Sequence, residues 1–121
     1  MKVFIFVFVF LSSFFIYANN FDGSYSLSNK DDCNKMLSID IKNNFFSIYS
    51  MNNNLENKKL IIKGKLEILN NGTNIYLKMN AIEALYYKNT IVIQNSGNSM
   101  NNYTYFDLCD SKYLNFNKLL K

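Results

Sequence analysis

Apolar and polar residues alternate with a period of two through most of the chain beyond residue 20. Phe21, Gly23, Tyr25 and Leu27 alternate with Asp22, Ser24, Ser26 and Ser28. Leu37, Ile39 and Ile41 alternate with Ser38, Asp40 and Lys42, and Ile75, Leu77 and Met79 with Tyr76, Lys78 and Asn80. Residues 59–68 set Leu60, Ile62, Gly64, Leu66 and Ile68 against Lys59, Ile61, Lys63, Lys65 and Glu67. Successive side chains of a strand point to opposite faces, so each stretch predicts a strand with one buried face. Further strands are predicted over residues 45–51, 82–87, 90–94 and 113–117, giving about eight.

The turns between these stretches fix a register. Asn71-Gly72 is a preferred centre for a two-residue type I′ hairpin loop. That choice sets Ile68 opposite Ile75, Leu66 opposite Leu77 and Gly64 opposite Met79 on one face. The other face then pairs Glu67 with Tyr76 and Lys65 with Lys78. Asn43-Asn44 as a second such loop sets Ile41 against Phe46, Ile39 against Ile48 and Leu37 against Ser50. Lys88-Asn89 as a third sets Tyr86 against Ile91 and Ala84 against Ile93. A slip of one residue would spoil every inner face, so the three registers together predict an antiparallel meander. Its inward set includes Leu60, Ile62, Ile68, Ile75 and Tyr86 as well as Tyr25, Leu114 and Phe116. Residues this bulky predict a filled core rather than a hollow cup.

Two cysteines close the argument about topology. Cys33 falls after the first predicted strand and Cys109 after the seventh. In an up-and-down meander both connections lie at the same end. A disulfide needs Cα atoms within ~7 Å, so the first and last strands should be neighbours. The fold class is therefore all-β, a small antiparallel up-and-down barrel of about eight strands stapled by one disulfide. The alternative is a two-sheet sandwich clipped by the same bond.

The first 18 residues follow a different rule. Met1-Lys2 is a short positive start, residues 3–15 are apolar except for Ser12-Ser13, and Ala18 offers a small residue before Asn19-Asn20. This is the pattern of a secretory signal peptide, and the run is shorter than the ~20 apolar residues of a spanning helix. The expected organisation is a signal peptide over 1–18 and one barrel domain over 19–121, periplasmic or secreted, with no stable membrane span after cleavage. An even cysteine count in an exported chain reads as a disulfide.

Composition narrows the chemistry. The chain has no Arg, His, Pro or Trp and is rich in Asn, Lys, Ile, Phe and Tyr, as AT-rich codons would give. A bacterial source is expected, which makes the sequons at Asn71 and Asn102 incidental. Without Lys2, 12 lysines face 9 acidic residues, a charge of +3, too small to point to nucleic acid. Lacking His, the chain cannot build a Ser-His-Asp or Cys-His nucleophile. Neither a metal site nor a cofactor is expected, although Asp31, Asp32 and Asp110 adjoin the cysteines. A carboxylate pair for glycoside hydrolysis remains open among Asp22, Asp31, Asp32, Asp40, Glu67, Glu83, Asp107 and Asp110.

Two surface features stand out. Lys59, Lys63, Lys65 and Lys78 form a predicted basic patch on the outer face of one hairpin, which a solvated surface that blocks edge association explains better than an anionic partner does. Residues 95–106 are the longest stretch without alternation and are rich in amides, hydroxyls and aromatics, the chemistry of an adaptable recognition loop. Asn95, Asn98, Met100, Asn101, Tyr103 and Tyr105 are its candidate binding residues. The spacing of Met100, Tyr103 and Phe106 also fits a short helical turn plugging the barrel mouth.

The stretch Gln94-Asn95-Ser96-Gly97-Asn98-Ser99-Met100-Asn101, with Cys109, Lys112 and Tyr113, resembles the C-terminal segment of small exported bacterial proteins of unknown function. In architecture the chain is similar to the small disulfide-stapled periplasmic barrels that inhibit lysozymes. The first resemblance imports no activity and the second is one of fold; because the long loops gather at the disulfide end, the expected function is a non-enzymatic binding or inhibitor module acting through those loops on a protein partner in the envelope. Two other functions stay open: a lipocalin-like binder of a small apolar ligand, and a carboxylate-dependent envelope hydrolase. Mass spectrometry of the exported chain should find a start at Asn19 and a mass two hydrogens below that of the reduced form. Free thiols in the native protein would overturn the compartment argument.

Overall fold

A computed structural model describes residues 21–28, 32–52 and 57–119. The predicted signal peptide lies outside the described residues. The chain forms eight strands in sequence order: β1 (Gly23–Leu27), β2 (Met36–Lys42), β3 (Phe45–Met51), β4 (Lys59–Asn70), β5 (Ile75–Met79), β6 (Ile82–Tyr87), β7 (Thr90–Gln94) and β8 (Tyr113–Lys118). Each pairs antiparallel with the next, and β1 pairs with β8, which closes the barrel. The closing ladder sets Tyr25 opposite Lys118, Ser26 opposite Asn117 and Leu27 opposite Phe116. The sandwich alternative is thereby replaced, since a sandwich would leave these terminal strands unpaired.

The interior follows from the alternation. One inner row runs Tyr25, Ile39, Ile48 and Ile62 across β1 to β4. Another runs Leu27, Phe116, Ile91, Tyr86 and Ile75 around the rest of the wall. Phe46, Leu77, Met79, Ile93 and Leu114 fill the space between and are fully buried. Gly64 faces Phe46 across β3 and β4, and a Cβ on it would lie 2.8 Å from Asn80 Oδ1 and 3.2 Å from the Phe46 ring. The missing side chain gives both their room.

Two of the three predicted registers are observed in the ladder. Asn43 and Asn44 (φ +52° and +65°) and Lys88 and Asn89 (φ +48° and +63°) are left-handed pairs, as type I′ loops require. They set Ile39 opposite Ile48 and Tyr86 opposite Ile91. The third register is corrected by two residues. Leu66 faces Met79, Ile68 faces Leu77, and Asn70 faces Ile75. Residues 71–74 form a four-residue loop because Asn71 Oδ1 accepts hydrogen bonds from the backbone N–H groups of Thr73 (3.1 Å) and Asn74 (2.7 Å). Only Gly72 adopts a left-handed φ there. A shift of two preserves which face each residue occupies, so the inner set survives while its partners change.

A second correction concerns β4. Ile48 faces Ile62 but Tyr49 faces Leu60, so Ile61 is the extra residue of a β-bulge. Beyond it the side-chain parity reverses. Leu60, expected inside, shares a row with outward Tyr49 and is 42% exposed, while Lys59 shares a row with buried Ser50. Ile68, also expected inside, is 43% exposed because β4 runs past the end of β3, whose ladder stops at Phe45 and Lys65. Ile62, Ile75 and Tyr86 are half-buried against the core.

The loops divide between the two ends. Tight connections at 43–44, 71–74 and 88–89 gather at one end. The other end collects the described residues 28, 32–35, 52, 57–58, 80–81 and 95–112, and carries the disulfide. At the tight end the Phe21 ring stands edge-on to Tyr86, with centroids 4.9 Å apart, and the buried Tyr25 hydroxyl donates to the Phe21 carbonyl at 2.7 Å. Burial pushes the Tyr25 phenol well above its ordinary value of 10.0, with Tyr86 and Asp22 acting in the same direction. The folded state therefore keeps this proton when the unfolded chain would lose it. Its contribution is complete below pH 10 and is lost as pH rises further, at up to ~1.4 kcal/mol per unit. Tyr25→Phe should cost about 1 kcal/mol at neutral pH and flatten the loss of melting temperature above pH 10. An unchanged slope would show that Tyr25 ionises in the fold.

Candidate functional site

The connection between β7 and β8 starts at Asn95, which is 1% exposed. Its amide nitrogen shares its two protons among the carbonyls of Phe106 (3.2 Å), Cys109 (3.1 Å) and Ser111 (3.2 Å). Its Oδ1 accepts from the Phe106 N–H at 2.8 Å. One side chain thus satisfies backbone groups that would otherwise be buried unpaired, at a cost of about 1–3 kcal/mol each. The Asn95 backbone is also occupied, donating to Lys112 O (2.6 Å) and accepting from Tyr105 N (2.9 Å).

The disulfide secures the same region. Cys33 and Cys109 have Cα atoms 3.9 Å apart and join positions 76 residues apart in sequence. They form an antiparallel bridge flanked by Asn34 N–H to Leu108 O and Asp110 N–H to Asp32 O, each 2.8 Å. The Ser111 hydroxyl donates to the Asp32 carboxylate. Asp31 lies outside the described residues. Among the described residues no group of three metal-ligating side chains comes together.

From Asn95 the chain rises and returns as an irregular hairpin. Ser96 bridges Thr104, Gly97 N–H donates to Tyr103 O (2.9 Å), and Asn98 N–H donates to Asn101 O (3.1 Å). The Asn98 side chain turns the tip by accepting from the N–H groups of Met100 and Asn101, both at 2.9 Å. Gly97 is obligatory here: a Cβ would lie 1.7 Å from Asn101 O and 2.7 Å from the Tyr103 ring. The expected helical turn is not formed. Met100 points into solvent, 90% exposed, and of the three residues at that spacing Phe106 alone is buried as a stopper in the mouth.

The candidate residues therefore separate. Asn95 is inside, holding the loop together. Asn98 and Asn101 shape the exposed tip, with Met100 beside them. Tyr103 is half-buried and Tyr105 exposed, with ring centroids 5.0 Å apart at 44°. The Tyr105 hydroxyl donates to Ala81 O at 3.4 Å, tying the returning arm to the β5–β6 turn. Between them lies a groove of about 500 Å³ lined by Lys78, Asn80, Ala81, Glu83, Gln94, Tyr103 and Tyr105. A second groove of about 590 Å³ lies on the other side of Tyr105, with Leu60, Ile61, Phe106 and Leu108 on its apolar walls and Lys35, Lys59 and Asp107 among its polar ones. Tyr105 is the ridge common to both.

Asn80 was not among the candidates, and Glu83 was one only as a carboxylate for hydrolysis. The alternation places them on or beside β5 and β6, and only the same-end rule for the connections after β5 and β7 hints that they meet the tyrosines. The residues of the predicted basic patch are arranged differently from the expected register. Lys63 and Lys65 face Ser47 and Phe45, Lys59 is turned away by the bulge, and Lys78 lies between Glu67 and Glu83. Lys78 therefore has acidic cross-strand neighbours instead of the expected Lys65, which removes the like-charge contact.

Asn95→Ala should lower stability by about 2–4 kcal/mol, since it leaves the Phe106 N–H buried without an acceptor. Asn98→Ala, at the exposed tip, should change it by less than about 0.5 kcal/mol. Chemical denaturation of both variants checks the contrast. Equal effects would mean that the loop is not organised from Asn95.

No family model, no curated protein and no solved structure matches the chain.

Proposed function

We propose that the protein is an exported, non-enzymatic binding module that works through the disulfide end of its barrel. One observation carries this reading. The exposed Tyr105 and the projecting hairpin stand between two grooves, on a loop ordered in advance by Asn95 and the disulfide. A loop already ordered loses less conformational freedom on binding, and aromatic side chains supply contact area with few rotatable bonds. Among the described residues the opposite end carries the tight turns and a smaller hollow of about 440 Å³ beside Asp22 and Lys42, with no projecting loop. The filled interior leaves the apolar-ligand alternative without a ready cavity among the described residues. Glu83 is the one carboxylate in the groove beside Tyr103, where a hydrolase would need two. The paired cysteines and the apolar leader support an oxidising compartment outside the cytoplasm.

Mature protein immobilised through its tight end should retain a partner from an envelope extract. Tyr105→Ala should reduce retention at least tenfold without lowering the melting temperature appreciably, while Asn43→Gly, at the tight end, should retain fully. Equal retention by all three proteins would place binding elsewhere and overturn the reading.

A further inference from the structure

We infer that the groove between the Tyr103–Tyr105 arm and the β5–β6 turn is a saccharide site, taking a neutral oligosaccharide. This rests on the binding-module reading and names the ligand class of the same end. The groove's volume, about 500 Å³, lies within the ~300–1,000 Å³ of ordinary ligand sites. Its chemistry is what a pyranose requires. A sugar ring presents an apolar C–H face and a rim of hydroxyls that both donate and accept. Tyr103 and Tyr105 provide aromatic surface for the face. Lys78 provides donors, Glu83 acceptors, and Asn80 and Gln94 both kinds.

These groups are available. Lys78 and Glu83 face each other across β5 and β6 but form no ion pair; the ion pair found among the described residues is Lys58–Asp40. The Gln94 amide nitrogen donates to Ser96 O at 3.2 Å, which orients the side chain and leaves its carbonyl oxygen as an acceptor. The aromatic pair is braced on both sides. Tyr103 lies against Gly97, where no larger residue fits, and Tyr105 is tied to Ala81. Little ordering remains for the ligand to impose.

The same features argue against other ligands. One lysine and one glutamate leave the groove without net charge, so neither an anion nor a cation is favoured. A single-stranded nucleic acid would need a positive track beside the stacking rings. An extended peptide would need a free strand edge, and the closed barrel has none. An apolar ligand would leave the Lys78 and Glu83 charges desolvated without partners.

The test is an NMR titration of the mature, oxidised protein with the tetrasaccharides of N-acetylglucosamine, β-glucose and α-glucose, each up to about 10 mM, which would nearly fill a site of ~1 mM affinity. At least one should shift the amide signals of Lys78, Asn80, Glu83, Gln94, Tyr103 and Tyr105 in a saturable manner. Tyr105→Ala should weaken that ligand at least tenfold, Tyr105→Phe less than about threefold because the ring is kept, and Glu83→Gln about tenfold through loss of a charge-assisted hydrogen bond. Glu83 is exposed on β6, so its variant keeps the test valid if Tyr105→Ala unfolds. Absence of saturable shifts with all three sugars, shifts confined to residues outside the groove, or full affinity in Glu83→Gln would overturn the assignment. If the protein still retains an envelope partner through Tyr105 in that case, the binding-module reading stands and the saccharide assignment alone falls.

Discussion

Closure of the sheet between β1 and β8 is the constraint on which the other features depend. Three residue pairs carry it, from Tyr25 with Lys118 to Leu27 with Phe116. They join strands that are almost the whole chain apart, so the entropy of closing a long loop must be met by burial on both sides of the seam. Tyr25, Leu27, Leu114 and Phe116 supply that burial. Closure also removes both sheet edges, which would otherwise expose rows of unpaired backbone groups to other chains. The disulfide reinforces the seam from one end: in the chain-entropy model, a link across 76 residues contributes about 4 kcal/mol. At the other end Phe21 and the Tyr25 hydroxyl hold the entry to β1.

Much of this arrangement was legible in the sequence, for identifiable reasons. The β2–β3 hairpin could be read because its inner residues alternate strictly and Asn43-Asn44 tolerates the left-handed conformation. Closure could be read because a disulfide between connections of equal parity demands it. The β4–β5 register was misread because the Asn71 side chain replaces a second left-handed residue, so a loop with the same Asn-Gly letters takes four residues. The bulge at Ile61 had no mark at all, since apolar residues on both sides of it fit either face. The hairpin of residues 95–106 was recognisable as irregular, but its order comes from the Asn95 amide reaching 11 to 16 residues ahead. Local pattern carries no trace of such contacts.

The abundance of asparagine takes on a structural meaning in this light. Five of the six described non-glycine residues with left-handed φ are asparagines: Asn43, Asn44, Asn57, Asn80 and Asn89. Three more, Asn70, Asn71 and Asn98, accept hydrogen bonds from the turns they begin. Whatever codon bias supplied these residues, the fold uses them where a proline-free chain with four glycines has few other means of turning. Short polar side chains that bond to their own backbone make compact turns without a glycine's entropic cost.

The bulge in β4 acts as a phase slip in an otherwise regular lattice. On one side of Ile61 the strand obeys the core's rule, with Ile62, Gly64 and Leu66 facing in. On the other side the rule is inverted, and Leu60 joins Ile61 in lining the groove beside Tyr105. A single extra residue has therefore uncoupled the strand's two halves. The lower half is held by packing, while the upper half is free to change what it displays. A barrel built this way can vary its rim through insertions of one residue without renegotiating its interior.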